Sequence, residues 1–367
     1  MSLSPPLRVV QWATGAVGRY SLRSLITRPE FELAGVLVYD PDKVGQDAGT
    51  LVGLPEAGVV CTDDVEEILA AKADCVLHMP LPASYFGGEH PSDVETICAL
   101  LATGKNVITT TGFVYPKCYG PGVVERLEAA CRTGGSSLHG TGVNPGFMSD
   151  VLPLTLTGLS SRVDHIYVRE SSDFRGHPSR QIVVDLFGFT RSAKDYVAAV
   201  RPFRAFQRSL FAESVQFVAD NLGVALDEVE ESDEFELAAE EFEIAAGPVR
   251  AGTVCASRWM FSGLVRGRPF MTVECVYKAD ATRVRRWADP GFSVHIEGVP
   301  QLMLTVDEIS HGLAGAAAHA VNSVAALCAA PPGIHTALDL PLATAGAPSA
   351  SPEDPPRPPP RRPQSDT

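Results

Sequence analysis

The sequence predicts an α/β protein in two parts: an N-terminal doubly wound parallel sheet, then a C-terminal α+β domain with a mostly antiparallel sheet. Three observations carry this. Over roughly the first 140 residues, short β-branched runs alternate with amphipathic stretches at the spacing of strand–helix–strand units. A glycine-containing turn, Ala13-Thr14-Gly15-Ala16-Val17-Gly18, separates the first such run from the first helical stretch. From about Val151 the texture changes, and the strand-like runs Thr253–Met260, Phe270–Tyr277 and Phe292–Glu297 follow one another with no helix between them.

Leu7–Ala13 is a β-branched apolar run, hence the first strand. Val17, Leu22, Leu25 and Ile26 then make one apolar helix face, and Phe31–Tyr39 is the second strand. Asp63–Ala71 reads as a short helix capped by Thr62, since a hydroxyl there can accept a free amide of the first turn. Asp74–His78 is a buried strand, Ser92–Thr103 a helix, Asn106–Thr110 a strand, Val123–Arg132 a helix and Ser136–His139 a final short strand. In the second part His165–Glu170 is a strand, with helices at Arg180–Phe187 and Ser192–Asn221. Gly312–Leu327 is a helix of small residues suited to close packing. The domains expected are 1–145, rejoined by 311–345, and 146–310; residues 346–367 form a Pro-rich tail with nothing to bury, expected to be disordered.

Charge narrows the function. The 367 residues carry a formal charge of −14, and ten of the carboxylates behind it fall between Asp227 and Glu243 with no Lys or Arg among them. Phosphate binding needs clustered cations, so nucleic acid is not expected as a partner. The acidic run alternates with Phe235, Leu237, Phe242 and Ile244, as a solvated face over a half-buried element does. No apolar run is expected to approach the ~18–20 residues that span a bilayer, so no membrane partner is expected. The eight Cys form no CxxC pair, and none has zinc-ligand spacing with the His residues; reduced thiols, no metal and a cytoplasmic location are expected.

The turn after the first strand points to a dinucleotide. Gly15 lets backbone approach a pyrophosphate, Gly18 lets helix pack on sheet, and the amides of Ala16, Val17, Gly18 and Arg19 open toward an anion. This is a Rossmann-type arrangement in which Ala13 stands where the first glycine usually is. Asp40, 22 residues after Gly18, can accept the ribose hydroxyls of NAD and repel the 2′-phosphate of NADP, or merely cap the following turn. Arg19 and Lys43 favour NADP, so the cofactor is NAD or NADP with NAD slightly preferred. Tyr39-x-x-x-Lys43 is not a short-chain-dehydrogenase pair, because Pro41 keeps the two off a common helix. Ligands bind beyond the carboxyl ends of parallel strands. That selects Met79 and Pro80, Thr110 and Thr111, and Asn144 and Pro145 as cofactor-facing residues.

Four stretches resemble one family over nearly the whole chain: Val9–Gly49, His139–Phe147 (HGTGVNPGF), Ala251–Thr253 with Gly263–Glu274, and Val321–Pro341. They are similar to the dihydrodipicolinate-reductase-like proteins that include 2,4-diaminopentanoate dehydrogenase and the native amine dehydrogenases. The resemblance implies NAD(P)-dependent interconversion of an amine with an imine or ketone, and a homodimer packed through its second-domain sheets. Two departures stand out. The His-His-x-x-Lys and Asp-Ala-Pro-Ser-Gly-Thr segments of true dihydrodipicolinate reductases are absent. The Glu that amine-acting members carry after the fifth strand is replaced by Thr111-Gly112-Phe113-Val114-Tyr115-Pro116, where Phe113 is expected to make the pocket apolar.

Substitute acid–base groups are sought in Glu170–His177, which the resemblance places beside the substrate. His177, Asp173 and Tyr115 are the catalytic candidates. The function expected is hydride transfer between nicotinamide and a C=N or C=O carbon of a small, mostly apolar amine, imine or ketone. Two alternatives stay open: a ketone or imine reductase that does not use free ammonia, and a dinucleotide-binding protein without turnover.

Overall fold

The computed structural model describes residues 5–83, 92–177, 179–307 and 312–345. The Pro-rich tail expected at 346–367 lies outside the described residues. The first sheet is built from β1 (Leu7–Trp12), β2 (Phe31–Leu37), β3 (Cys61–Thr62), β4 (Cys75–His78), β5 (Asn106–Thr109), β6 (Ser137–Gly140) and β15 (Gly333–His335), all parallel, in the order β15-β6-β5-β4-β1-β2-β3. Chain order reverses direction between β1 and β4. That switch point opens a crevice at the carboxyl ends of the two strands, where α/β sheets take ligands.

Helices α1 (Ala16–Thr27), α4 (Asp93–Ala102) and α5 (Pro121–Gly134) fall where the periodicity places them. Ser92 caps α4 in a reciprocal box with Glu95, each satisfying a terminal amide. The short α2 (Ala48–Leu51) follows β2. The helix expected over Asp63–Ala71 is shorter, α3 (Val65–Ala70), and its cap is Asp64 rather than Thr62. Thr62 sits in β3 and its hydroxyl accepts the Asp64 amide at 3.1 Å, leaving the Asp64 carboxylate to take those of Glu66 and Glu67.

The second sheet runs β14 (Leu302–Val306), β13 (Gly291–Val299), β7 (Arg162–Asp173), β12 (Arg268–Lys278), β11 (Val254–Val265), β8 (Glu228–Leu237). It is antiparallel except where β7 meets β12 in parallel. A hairpin of β9 (Phe242–Ile244) and β10 (Gly247–Val249) stands apart. The short α6 (Val151–Thr157) leads into β7. The helix expected over Ser192–Asn221 is two, α7 (Ala193–Ala199) and α8 (Arg201–Asn221), with Pro202 in the first turn of the second. A proline is tolerated there because first-turn amides have no helical partner. The helix expected at Arg180–Phe187 is a single π turn, Gln181–Leu186. Phe211, Val215 and Val218 of α8 are buried with Trp259, Phe261, Met271 and Val273 in one core.

The acidic run becomes edge strand β8. Glu231 and Asp233 turn inward to Arg204 at 3.4 and 2.7 Å, while Glu234 and Glu236 face outward to Arg286. Charges on an edge strand also discourage pairing with other chains.

Helix α9 (Gly312–Ala329) returns to the first sheet, where Ala320, Val321, Val324 and Leu327 pack with Val9, Leu25, Leu77 and Ile108. By length and composition alone it is apolar enough to cross a membrane, which corrects the expectation that no run comes near that length. Its apolar side is occupied by the sheet, and Arg28 donates to Asn322 at 2.7 Å.

Candidate active site

The glycine turn is held from below. Gln11, buried in β1, donates to the Ala13 carbonyl at 2.9 Å, and Ser21 of α1 donates to Gln11 at 2.6 Å. Ala13 adopts φ 72°, a left-handed conformation that costs an L-residue ~1–2 kcal/mol. This explains why a glycine is usual there. A Cβ on Gly18 would lie 2.1 Å from the Ala13 carbonyl oxygen, so that position admits only glycine. One on Gly15 would meet nothing within 4 Å, which leaves the cradle open on that side. Helix α1 starts there with no side-chain cap and no acidic residue in its first turn, so the amides of Ala16, Val17 and Gly18 fit an anionic pyrophosphate.

At the end of β2, Asp40 caps a 3₁₀ turn, Pro41–Lys43, by accepting the Asp42 amide. Its second oxygen lies 3.8 Å from Lys43 Nζ, which also reaches the Thr14 carbonyl at 3.4 Å. Arg19 is exposed in the first turn of α1. Trp12 donates to the Tyr39 hydroxyl at 2.8 Å, and Tyr39 and Lys43 share no helix, in keeping with the rejected motif.

The carboxyl ends of β4 and β5 are joined by polar side chains. His78 Nδ1 is 3.0 Å from the Thr109 hydroxyl, which is 2.9 Å from that of Thr111. Burial pushes His78 down to about 3, so it is a neutral hydrogen-bonding group. Met79 is buried, its amide on the Trp12 carbonyl; Pro80 follows; Thr110 donates to the His78 carbonyl. After β6, the Thr141 hydroxyl is 2.7 Å from His319 of α9.

The next turn carries Asn144 and Pro145. Asn144 Nδ2 donates to Glu170 Oε2 at 2.7 Å, and Ser172 donates to Oε1 at 3.2 Å. The Asn144 Oδ1 is buried with no hydrogen-bond partner among the described residues. Burial raises the Glu170 carboxyl above its ordinary range, and the bonds from Asn144 and Ser172 pull it back. Along β7, Ile166 and Val168 face the core, so the two-residue period puts Glu170 and Ser172 on that inner face as well. Cys275 and Tyr277 stand beside them on β12. Phe174, Phe187 and Tyr277 form an aromatic wall with ring centroids 4.5 to 5.7 Å apart.

The three catalytic candidates are not brought together with this pair by hydrogen bonds among the described residues. His177 is half-buried beside Phe174 and accepts the Ser179 amide at 3.3 Å; burial lowers its pKa. Asp173 is exposed and accepts the Arg175 amide. Tyr115 donates to Asp220 at 2.6 Å and packs its ring on Phe217. The signal for Glu170 was in the sequence: a carboxylate on the apolar face of a strand.

Phe113 is buried. It stacks on Tyr119 with centroids 4.9 Å apart and is buried with Val107, Leu127 and Leu138. The space beside Gly112 is taken by Glu213 of α8, fully buried, which no local pattern singled out. Glu213 accepts the Phe113 and Tyr115 amides at 3.1 and 2.8 Å and the Tyr119 hydroxyl at 2.6 Å. Burial pushes it up to about 7. Among the described residues, no group of three His, Cys, Asp or Glu is arranged to hold a metal.

A glycine turn at the head of a parallel sheet is joined here to relatives that are dehydrogenases and reductases, which makes the chain an NAD(P)-dependent oxidoreductase. Residues 147–351 match the 2,4-diaminopentanoate dehydrogenase C-terminal domain family, and residues 9–117 match the dihydrodipicolinate reductase N-terminus. The chain belongs to the family of 2,4-diaminopentanoate dehydrogenase and the amine dehydrogenases. It is 31% identical over 355 residues to an amine dehydrogenase of Streptomyces virginiae, covering 92% of this chain and 96% of that one. It is 24% identical over 354 residues to the 2,4-diaminopentanoate dehydrogenase of Acetoanaerobium sticklandii, covering 92% and 94%. The solved structure of an amine dehydrogenase from Mycobacterium smegmatis shares the fold, with a TM-score of 0.77 at 20% identity over 93% of this chain and 97% of that one.

Proposed function

We propose that the protein interconverts a small, mostly apolar amine with its imine or ketone, and that Glu170 carries the proton. The observation behind this is the Asn144–Glu170 hydrogen bond, which sets a half-buried carboxylate at the carboxyl end of the first sheet. Residues 1–145 with 311–345 then form the cofactor half and 146–310 the substrate half. The nicotinamide cofactor, when bound, supplies the site that takes or gives hydride. The protein orients the partners and excludes water. The helix α1 amides hold the pyrophosphate, Asp40 holds the ribose and favours NAD, and the buried Asn144 Oδ1 is a ready acceptor for a carboxamide N–H.

In the oxidation direction Glu170 takes a proton from the ammonium form of the substrate, freeing the nitrogen lone pair. Loss of hydride from carbon leaves an iminium, which water converts to ketone and ammonium. The aromatic wall of Phe174, Phe187 and Tyr277 suits an apolar carbon skeleton. A homodimer through the second sheet belongs to the same proposal, and sedimentation tests it. The lack of a carboxylate in Thr111–Pro116 favours a second reading, a reductase of preformed imines or ketones.

The test is reduced-cofactor absorbance across a panel of amines, and of ketones with and without concentrated ammonium. Glu170→Gln should lower amine oxidation by about 10²–10⁴-fold. Ammonium-independent ketone reduction would favour the second reading, and binding of NAD(P)H without turnover on any substrate would overturn both.

A further inference from the structure

We propose that Glu213 and Ser214, consecutive on α8, clamp the turns after β5 and β6 in the conformation that receives the nicotinamide half of the cofactor. This rests on the cofactor reading above and adds to it a pair of positioning residues from the other sheet's core. Glu213 ties down the first turn through the Phe113 and Tyr115 amides and the Tyr119 hydroxyl. Ser214 ties down the second: its hydroxyl is 3.1 Å from Ser149, Ser149 donates to Asp150 at 3.1 Å, and Asp150 accepts the Gly146 amide at 2.5 Å. Glu213, Ser214, Ser149 and Asp150 are all buried.

The first turn also packs without slack against the end of β6 and against α8. A Cβ on Gly140 of β6 would lie 2.1 Å from the Phe113 carbonyl carbon, and one on Gly112 would lie 3.0 Å from Glu213 Oε1. Thr111 enters the first turn, and Asn144 and Pro145 lie in the second. Neighbouring α8 residues Phe211, Val215 and Phe217 are locked in the second core, so the clamp has a fixed anchor. Glu213 meets three donors, and a carboxylate can satisfy all of them because it only accepts. A glutamine cannot, since its amide would turn N–H toward N–H at Phe113 or Tyr115.

The test separates the two halves of the cofactor. NADH and NADPH binding is followed by nicotinamide fluorescence, and ADP-ribose binding by calorimetry, for wild type, Glu213→Gln and Ser214→Ala. ADP-ribose meets only the glycine-turn side of the site. The expected result for Glu213→Gln is NAD(P)H affinity weaker by about tenfold, with ADP-ribose affinity kept within about twofold. Ser214→Ala, which keeps the larger anchor, should show a smaller loss of the same selectivity and keeps the question answerable if the glutamine variant does not fold. Unchanged NAD(P)H binding in a folded variant overturns the clamp, as does an equal loss for ADP-ribose. A wild type that binds neither NADH nor NADPH overturns the cofactor reading itself.

Discussion

Glu170 belongs to β7 of the second sheet and Asn144 to the turn that follows β6 of the first, yet their side chains meet at 2.7 Å, so a turn from the other sheet offsets part of what burial does to the carboxylate. Asn144 donates to the ionised form and favours it. Asn144→Ala should therefore raise the Glu170 pKa further, because one hydrogen bond that favours the ionised form is lost. In the proposed reaction Glu170 acts as the carboxylate, so the acidic limb of the pH profile for amine oxidation should move to higher pH. A limb that stays in place would assign it to another group.

Restoring a carboxylate after β5 by Gly112→Glu should fail. Gly112 has φ 111°, and the new side chain would start 3.0 Å from Glu213 and 2.8 Å from the Tyr119 hydroxyl. Backbone strain and a buried like-charge pair together predict a loss of about 3 kcal/mol or more. Thermal melting measures it; a stable variant that gains ammonium-dependent turnover would contradict the assignment of this space to Glu213.

The proposed preference for NAD rests on Asp40, one oxygen of which lies 3.8 Å from Lys43 Nζ. Replacing it with Ser removes a charge that would repel a 2′-phosphate by on the order of 1 kcal/mol, and frees Lys43 to meet one. Asp40→Ser should tighten NADPH binding and weaken NADH binding. Wild type that already binds NADPH more tightly would show that Lys43 or Arg19 governs the site.

Ala13→Gly should stabilise the protein. It relieves a left-handed alanine at φ 72°, and after the entropy cost of glycine about 0.5–1 kcal/mol remains. The melting temperature should rise by a degree or two, whereas Gly18→Ala, forced against the Ala13 carbonyl, should lower it sharply.

Glu213 should leave a mark on stability as a function of pH. Its carboxyl is raised to about 7 in the folded protein, above the ordinary 4.5, so the folded state holds the proton more tightly than the unfolded one. Stability then falls as pH rises through the interval between those values, by about 3 kcal/mol in all. Denaturant titrations of wild type and Glu213→Gln should differ in slope across that window, whatever their absolute stabilities.

The first sheet is legible because most of its strands and helices are each specified by residues adjacent in the chain. Gly15 and Gly18 carry their meaning through a local turn, and Ala13 betrays its strain only once φ is known. Strands β3 and β15 escaped notice because two or three residues have no period to read. The site was half legible. Asn144 is legible from its place at a strand end, and the stretch Glu170–His177 is legible as the source of a substitute acid–base group, but within it sequence alone ranks His177 and Asp173, with Tyr115 elsewhere, ahead of Glu170. Glu213 was invisible for a different reason. It lies about 100 residues from the amides it accepts, so only tertiary structure reveals it.

Helix α9 and strand β15 have a consequence for biogenesis. Val9, Leu25, Leu77 and Ile108 are buried in part by residues 320–327, and β6 gains its outer neighbour only from residues 333–335. A ribosome making this chain must hold an incomplete N-terminal sheet, with one apolar flank bare, while the whole second sheet is synthesised. Closing a loop of that length costs little at equilibrium but slows the search for the native state. During translation the exposed flank is a standing invitation to chaperones and to self-association, and a nascent chain stalled before α9 should be the most aggregation-prone species the gene produces.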